Sequence, residues 1–214
     1  TLLEKADQAL AGGNTKYTAG AMRFAYDGAA DLLPLLRNPD DPRVQNADFG
    51  SYDTEKFGGD LLGFNDGRPL SAEQEALVNL SGETMRWLAS HDVKFEPIFS
   101  RQSFEKDGRH VFWGGLTLAA ENEGVGLFYM ELAAVERMGG AVRYNSTVTG
   151  LVTDEDRVIG VRVGDEVLCG DAVILASGGF EANEDLRVNH MGPNWNAAKV
   201  RGTPHNTCHG LVDG

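Results

Sequence analysis

Five consecutive apolar residues, Ala172-Val173-Ile174-Leu175-Ala176, followed at once by Ser177-Gly178-Gly179, constrain the fold more than any other stretch of this chain. A strand with one wet face alternates polar and apolar side chains. An unbroken apolar run of this length instead predicts a strand covered on both faces, as in a parallel sheet. The segments before it alternate more. Residues 141–144, 148–153, 158–163 and 166–168, with turns at Asp154-Glu155-Asp156 and Gly164-Asp165, predict short half-exposed strands in a meander. Together they point to an α/β architecture with an antiparallel addition.

The clearest helix is predicted over residues 71–91. Ser71 with Gln74 three residues later forms a capping box, and Leu77, Leu80, Thr84, Trp87 and Leu88 recur at helical spacing. A second helix over 126–138 ends at Gly139-Gly140. A shorter one over 27–36 is weakened by Pro34, and one over 51–64 carries Gly58-Gly59 in its middle. Residues 38–50, rich in Pro, Asp and Asn, read as a surface connection. Residues 93–122 read as a loop-rich wall whose aromatics Phe95, Phe99, Phe104, Phe112 and Trp113 either pack in a core or shape a substrate wall.

Charge narrows the function classes. With 19 basic against 32 acidic side chains the formal net charge is −13. No Lys/Arg cluster is present to displace counterions, so nucleic-acid partners are excluded. No apolar run approaches the ~20 residues of a spanning helix, so membrane insertion is not expected. Cys169 and Cys208 lie outside any CxxC pair, and no leader pattern opens the chain. Both features fit a reducing, cytoplasmic location, with an isolated disulfide left open.

Three pieces carry chemistry jointly. The apolar segment 1–4 ends on Glu4, which in a dinucleotide fold would accept the ribose hydroxyls and otherwise simply closes a strand. Gly12-Gly13-Asn14-Thr15 lets main-chain N–H groups approach a ligand, or makes a turn. Ala176-Ser177-Gly178-Gly179 follows the apolar run at the place where open α/β sheets bind ligands, or is a tight exit from a strand. The ordered set is far less probable by chance than any one piece. The 27 glycines supply it, about twice the usual ~7% of residues.

These pieces, with Lys16, Ala19-Gly20, Gly124-Val125-Gly126 and Val173 to Phe180, resemble the FAD domain of the fumarate reductase/succinate dehydrogenase flavoprotein superfamily over essentially the whole chain. Gly178-Gly179-Phe180-Glu181-Ala182-Asn183 and Lys199-Val200-Arg201-Gly202-Thr203 with Asn206 are most similar to its tricarballylate dehydrogenase group, to which the flavoprotein half of an aerobic precorrin-3B synthase belongs. The resemblance implies an incomplete Rossmann-like FAD-binding domain with an added antiparallel β-meander. It implies that Glu4 binds the adenosine ribose and that Gly13, Asn14, Thr15, Ala19 and Gly20 run along the cofactor. Val148 would meet the adenine through its backbone, and Ala176, Ser177 and Gly178 would form the strand end beside adenosine and pyrophosphate. Asn14 stands where respiratory members carry a flavin-linking histidine, which implies noncovalent FAD.

The resemblance also implies departures. The family's G-x-G-x-x-G loop precedes the strand ending at the Glu4 position, so residues 1–214 are expected to be a partial FAD domain lacking its first βα unit of roughly 30 residues, with the capping domain beyond Gly214. Thr207-Cys208-His209-Gly210 replaces the Thr-Gly-Asp-Gly of many relatives. The expected parent is an FAD-dependent oxidoreductase moving hydride between a small polycarboxylate and flavin. The rival readings are a precorrin-3B synthase flavoprotein part and an interaction module that has lost FAD binding. The isolated chain is expected to be inactive, to hold FAD weakly, and to self-associate through exposed edges. Catalytic residues cannot be assigned within it.

The remaining candidates are weaker. His205, Cys208 and His209 make three of the four ligands a structural metal needs, so no metal is expected. His91 is placed to cap its helix. His110 and His190 have no evident partner in sequence. Arg23 and Arg201 either attract a carboxylate or form surface ion pairs.

Overall fold

A computed structural model describes residues 1–207; Cys208 and His209 lie outside the described residues. The chain divides into two compact units, Thr1–Tyr17 with Val135–Gly214, and Thr18–Ala134. The first unit opens with β1 (Leu2–Leu3) and a 3-10 turn at Gly13–Tyr17.

The second unit begins with β2 (Ala21–Met22), β3 (Tyr26–Asp27) and α1 (Ala29–Leu32). Pro34 falls in the 3-10 turn Leu33–Leu35 directly after α1, as expected of a residue that cannot continue a helix. Next come α2 (Pro42–Gln45), β4 (Ala47–Asp48) and β5 (Ser51–Tyr52). The surface connection expected over 38–50 is corrected here, because Val44 and Phe49 are core residues. The Asp and Pro that suggested a loop are the N-cap and first turn of α2, where the Asp41 carboxylate accepts the Arg43 N–H.

Asp53 caps α3 (Thr54–Phe64). The longest helix, α4 (Ala72–Ser90), starts with both hydrogen bonds of the Ser71/Gln74 capping box and stops at His91, whose ring Nδ1 lies 2.8 Å from the Trp87 carbonyl. Its ends agree with the sequence but its inner face does not. Val78, Ser81 and Met85 are buried, whereas Leu77, Leu80 and Trp87 are exposed. Neighbouring rows of a helix share the same spacing, so periodicity alone does not choose between them.

Residues 93–122 are more ordered than expected: β6 (Phe95–Pro97), α5 (Phe99–Gln102), β7 (Ser103–Lys106), β8 (Arg109–Phe112) and β9 (Leu118–Ala120). Asp107 and Gly108, at φ +53° and +75°, close the β7–β8 hairpin. β6 and β2 flank β9 antiparallel, and β4 adds parallel to β8. Phe95 and Phe112 belong to the core, where Phe112 stacks on Phe49 at 4.9 Å. One apolar cluster, from Phe24 to Leu127, fills this unit.

α6 (Glu123–Arg137) leads back to the first unit and ends at Gly139 (φ +80°), with the Gly140 N–H donating to the Val135 carbonyl at 2.8 Å. There β10 (Val142–Arg143) pairs parallel with β1, Leu2 opposite Val142. The predicted meander follows as β11 (Val148–Asp154), β12 (Arg157–Val163) and β13 (Glu166–Cys169), antiparallel in that order. α7 (Glu184–Met191), capped by Asn183, and a 3-10 turn at Pro193–Ala197 complete the described elements.

Residues 172–176 correct the leading expectation. They form no strand, and Ile174 is 89% exposed. An apolar run becomes a covered strand only when neighbouring strands offer it N–H and C=O partners, and none of the described strands does.

Candidate functional site

Within the first unit, hydrogen bonds gather four stretches that are far apart in sequence. Asn14, in the Gly13–Tyr17 turn, uses both ends of its amide. Its Oδ1 accepts the Thr203 N–H at 3.0 Å and its Nδ2 donates to the Glu181 carboxylate. Asn206 Nδ2 donates to the same Glu181 Oε1 at 2.7 Å, while its carbonyl accepts the Ala182 N–H. Beside Glu4, Lys5 Nζ donates to Thr207 Oγ1 at 2.8 Å.

The glycines here make room for that network. A Cβ on Gly178, which sits at φ +75°, would lie 2.8 Å from Asn206 Nδ2, and one on Gly202 would lie 2.5 Å from Asn14 Oδ1. Any side chain would therefore displace one of the two amides that hold Glu181.

Glu181 is the charged centre. Partial desolvation raises its carboxyl pKa, but the donors of Asn206, its own backbone N–H and Asn14 together outweigh this, and the net shift is downward. A carboxylate that accepts several N–H donors stays ionised and holds them in one arrangement. Nearby, Arg187 is buried, donating from Nη1 to the Glu181 carbonyl and from Nε to the Trp195 carbonyl at 3.0 Å.

The residues singled out from sequence fall as follows. Glu4 closes β1. Its Oε1 accepts the Ala6 N–H at 2.8 Å, and among the described residues Oε2 takes no hydrogen bond, so it can accept from a ligand. Gly13, with Asn14 and Thr15, starts the 3-10 turn, and the space where a Cβ of Gly13 would stand is open. Val148 begins β11 opposite Val163, with its side chain exposed. Ala176, Ser177 and Gly178 are exposed irregular chain. The first unit thus brings Asn14 and Gly178 to one cluster, through Glu181 and Asn206.

In the second unit, Ala19 and Gly20 precede β2. Gly20 is buried, and a Cβ there would meet the Glu123 main chain at 2.7 Å. Arg23 pairs with Asp60 at 3.0 Å, and Tyr52 OH donates to the same carboxylate at 2.6 Å. Ion pairing is therefore the use the structure shows for Arg23. Arg201 is exposed.

Reasoning from the residues missed Glu181, Arg187, Thr203 and Asn206 as site-forming groups. Glu181 and Asn206 were visible only inside stretches quoted for a resemblance. Arg187 carries no local signal at all, because a charged residue in a helix is by default a solvated one. Among the described residues no group of three or more His, Cys, Asp or Glu could hold a metal ion.

No family model matches the chain. Solved structures do. A flavocytochrome c3 fumarate reductase in its open conformation superposes with a TM-score of 0.70 at 19% identity, covering 99% of this chain and 35% of its own. The 3-ketosteroid-Δ4-(5α)-dehydrogenase of Rhodococcus jostii RHA1, solved with 4-androstene-3,17-dione, gives 0.57 at 17% identity over 88% of this chain and 42% of its own. Mycobacterium smegmatis Sdh1, solved with UQ1, gives 0.50 at 14% identity over 85% and 30%. The chain thus has the mixed helix-and-sheet fold of part of these proteins, and spans between 30% and 42% of their lengths.

Proposed function

We propose that this chain is part of the FAD-binding portion of a flavin-dependent oxidoreductase, an incomplete Rossmann-like domain carrying an antiparallel meander. The observation that carries the reading is the convergence, inside one unit, of the Glu4 strand end, the Gly12–Thr15 turn and the Gly178 segment through Lys5–Thr207 and Asn14–Glu181–Asn206. The fold match over 99% of the chain to a flavocytochrome supports it.

The residues present fit such a cofactor in the first unit. Glu4 Oε2 can take ribose hydroxyls, and the open space at Gly13 admits a ligand against the main chain. Asn14 spends its amide on Thr203 and Glu181, so its role toward a cofactor is to fix this turn, and it offers no side chain for a covalent bond. When bound, a flavin supplies two-electron redox chemistry; the protein's part is binding, orientation and electrostatics. The resemblance to the tricarballylate dehydrogenase group supports a small polycarboxylate as the substrate class, and no helix among the described residues is long and apolar enough to cross a membrane.

The test is the bound chromophore of the full-length gene product. A yellow protein that releases about one equivalent of FAD on denaturation is expected, together with reduction of the flavin by a tricarboxylate. Glu4→Ala is expected to weaken FAD binding about tenfold, the ~1.4 kcal/mol of a lost polar contact. A colourless product, in the presence of added FAD as well, overturns the reading.

An interaction module is the second reading, and the exposed run with Ile174 at 89% favours it. It predicts concentration-dependent self-association through unpaired edges, which sedimentation measures.

A further inference from the structure

Arg187 sits at the wall of a cleft of about 260 Å3 in the first unit, lined also by Ala182, Val200, Gly202, Thr203 and Pro204. Only 7% of this residue is exposed. Arginine is seldom this deeply buried unless an anion pairs with it, because a cation taken out of water keeps its desolvation cost until one does. Two of its five N–H donors go to the carbonyls of Glu181 and Trp195, which orient the guanidinium without supplying a direct ion pair. None of the ion pairs among the described residues includes it. Its Nη2 makes no hydrogen bond, and since His205 Nε2 is the only fully buried side-chain nitrogen or oxygen without a partner among the described residues, Nη2 keeps access to solvent.

The loop that supplies Val200 and Gly202 also carries Lys199 and Arg201, both exposed and without an ion pair among the described residues. Of the nearby acids, Glu184 and Asp185 on α7 are exposed, and Glu181 turns its carboxylate to the amides of Asn14 and Asn206; among the described residues none of these acids forms an ion pair with any of the three. On a chain of net charge −13 this is a local concentration of unpaired cations around a concave wall.

We infer that the Arg187 cleft binds a small oxyanion, a carboxylate or a phosphate group, with the Arg187 guanidinium as its charge partner. A volume of about 260 Å3 lies just below the ~300–1,000 Å3 of drug-sized pockets and suits a compact anion. The main-chain clamp on Nε and Nη1 pre-sets the planar fork, which is what favours oxyanion geometry over halide. The site does not depend on the flavin reading, since none of its lining residues is assigned there to the cofactor.

The experiment titrates the chain with inorganic phosphate and, separately, with succinate, each against sodium chloride of matched ionic strength. The readouts are calorimetry and the Nε–Hε signal of Arg187 in nitrogen-edited NMR. Saturable binding of either anion that moves this signal is expected; phosphate alone identifies a phosphoryl ligand, succinate alone or both a carboxylate-tolerant one. Arg187→Lys is expected to weaken binding about tenfold through loss of the fork.

Because Arg187 also holds two carbonyls, a variant outside the clamp provides the control. Val200→Asp places a carboxylate at the cleft wall from an exposed position and is expected to reduce external anion affinity about tenfold or more with the fold intact by circular dichroism. No saturable binding above the chloride control, or equal affinity in folded Val200→Asp, overturns the inference.

Discussion

The two units are held together by different physics. The second is filled by one apolar cluster in which Phe24, Leu32, Phe95 and Leu118 are almost wholly buried. Among the described residues of the first, the buried hydrophobics are Ala6, Ala11 and Val161, and the other buried residues include Ser146, Arg187, Thr203 and Asn206. Area removed from water stabilises the former without regard to direction. Directional bonds to Glu181 and Arg187 organise the latter, where a misplaced donor costs more than a missing one gains. The difference teaches what each interior can recognise: an apolar core offers a ligand no directional contact, and a polar interior with open donors does.

That contrast can be broken by substitution. Phe95→Ala, at a side chain of 0% exposure, is expected to cost about 3–5 kcal/mol in urea unfolding. A cost under about 1 kcal/mol would mean the cluster is not the stabilising core. Glu181→Ala strands the amide donors of Asn14 and Asn206 and is expected to cost about 1–2 kcal/mol, and to shift NMR signals of residues 178–206 first. Ser71→Ala removes one half of the capping box on α4, for about 1 kcal/mol in the same measurement.

Acid sharpens the comparison most finely. Glu181 has a folded pKa below its unfolded one, so its stabilisation is complete above the ordinary carboxylate range and is lost as pH falls through the lower, folded value. Glu131 on α6 is raised by desolvation, so the sign reverses. Its contribution is fully present below the ordinary value and lost as pH rises through the folded one. Glu181→Gln should therefore flatten the acid side of the thermal-stability profile. Glu131→Gln should raise stability by a small margin at neutral pH and leave it unchanged in acid. Identical profiles for both variants would erase the distinction.

Legibility divided by the reach of contacts rather than by unit. The capping box, the Gly139-Gly140 stop and the meander were readable because each rests on contacts within a few residues. The β7–β8 hairpin was missed although Asp107-Gly108 is a strong two-residue turn signal, because irregular aromatic spacing around it suggested loop instead. The inner face of α4 and the fate of 172–176 were not readable, because both are decided by what lies opposite. In the site, Asn14 and Gly178 stood out through small residues that free the backbone. Glu181 and Arg187 did not, because their importance comes from partners that no local pattern announces.

The bonds of Asn14 have a further consequence for how the chain is made. They join residues 167 and 189 positions apart, and β1 likewise awaits β10. At ribosomal speeds of roughly 5–20 residues per second, the amino-terminal turn emerges on the order of ten seconds before its partners exist. The middle of the chain, whose contacts close among themselves, can condense during that interval. Closure of the Asn14 turn is then a late, long-range event, and a ribosome stalled before Glu181 would release a nascent chain with a finished centre and an unfastened beginning.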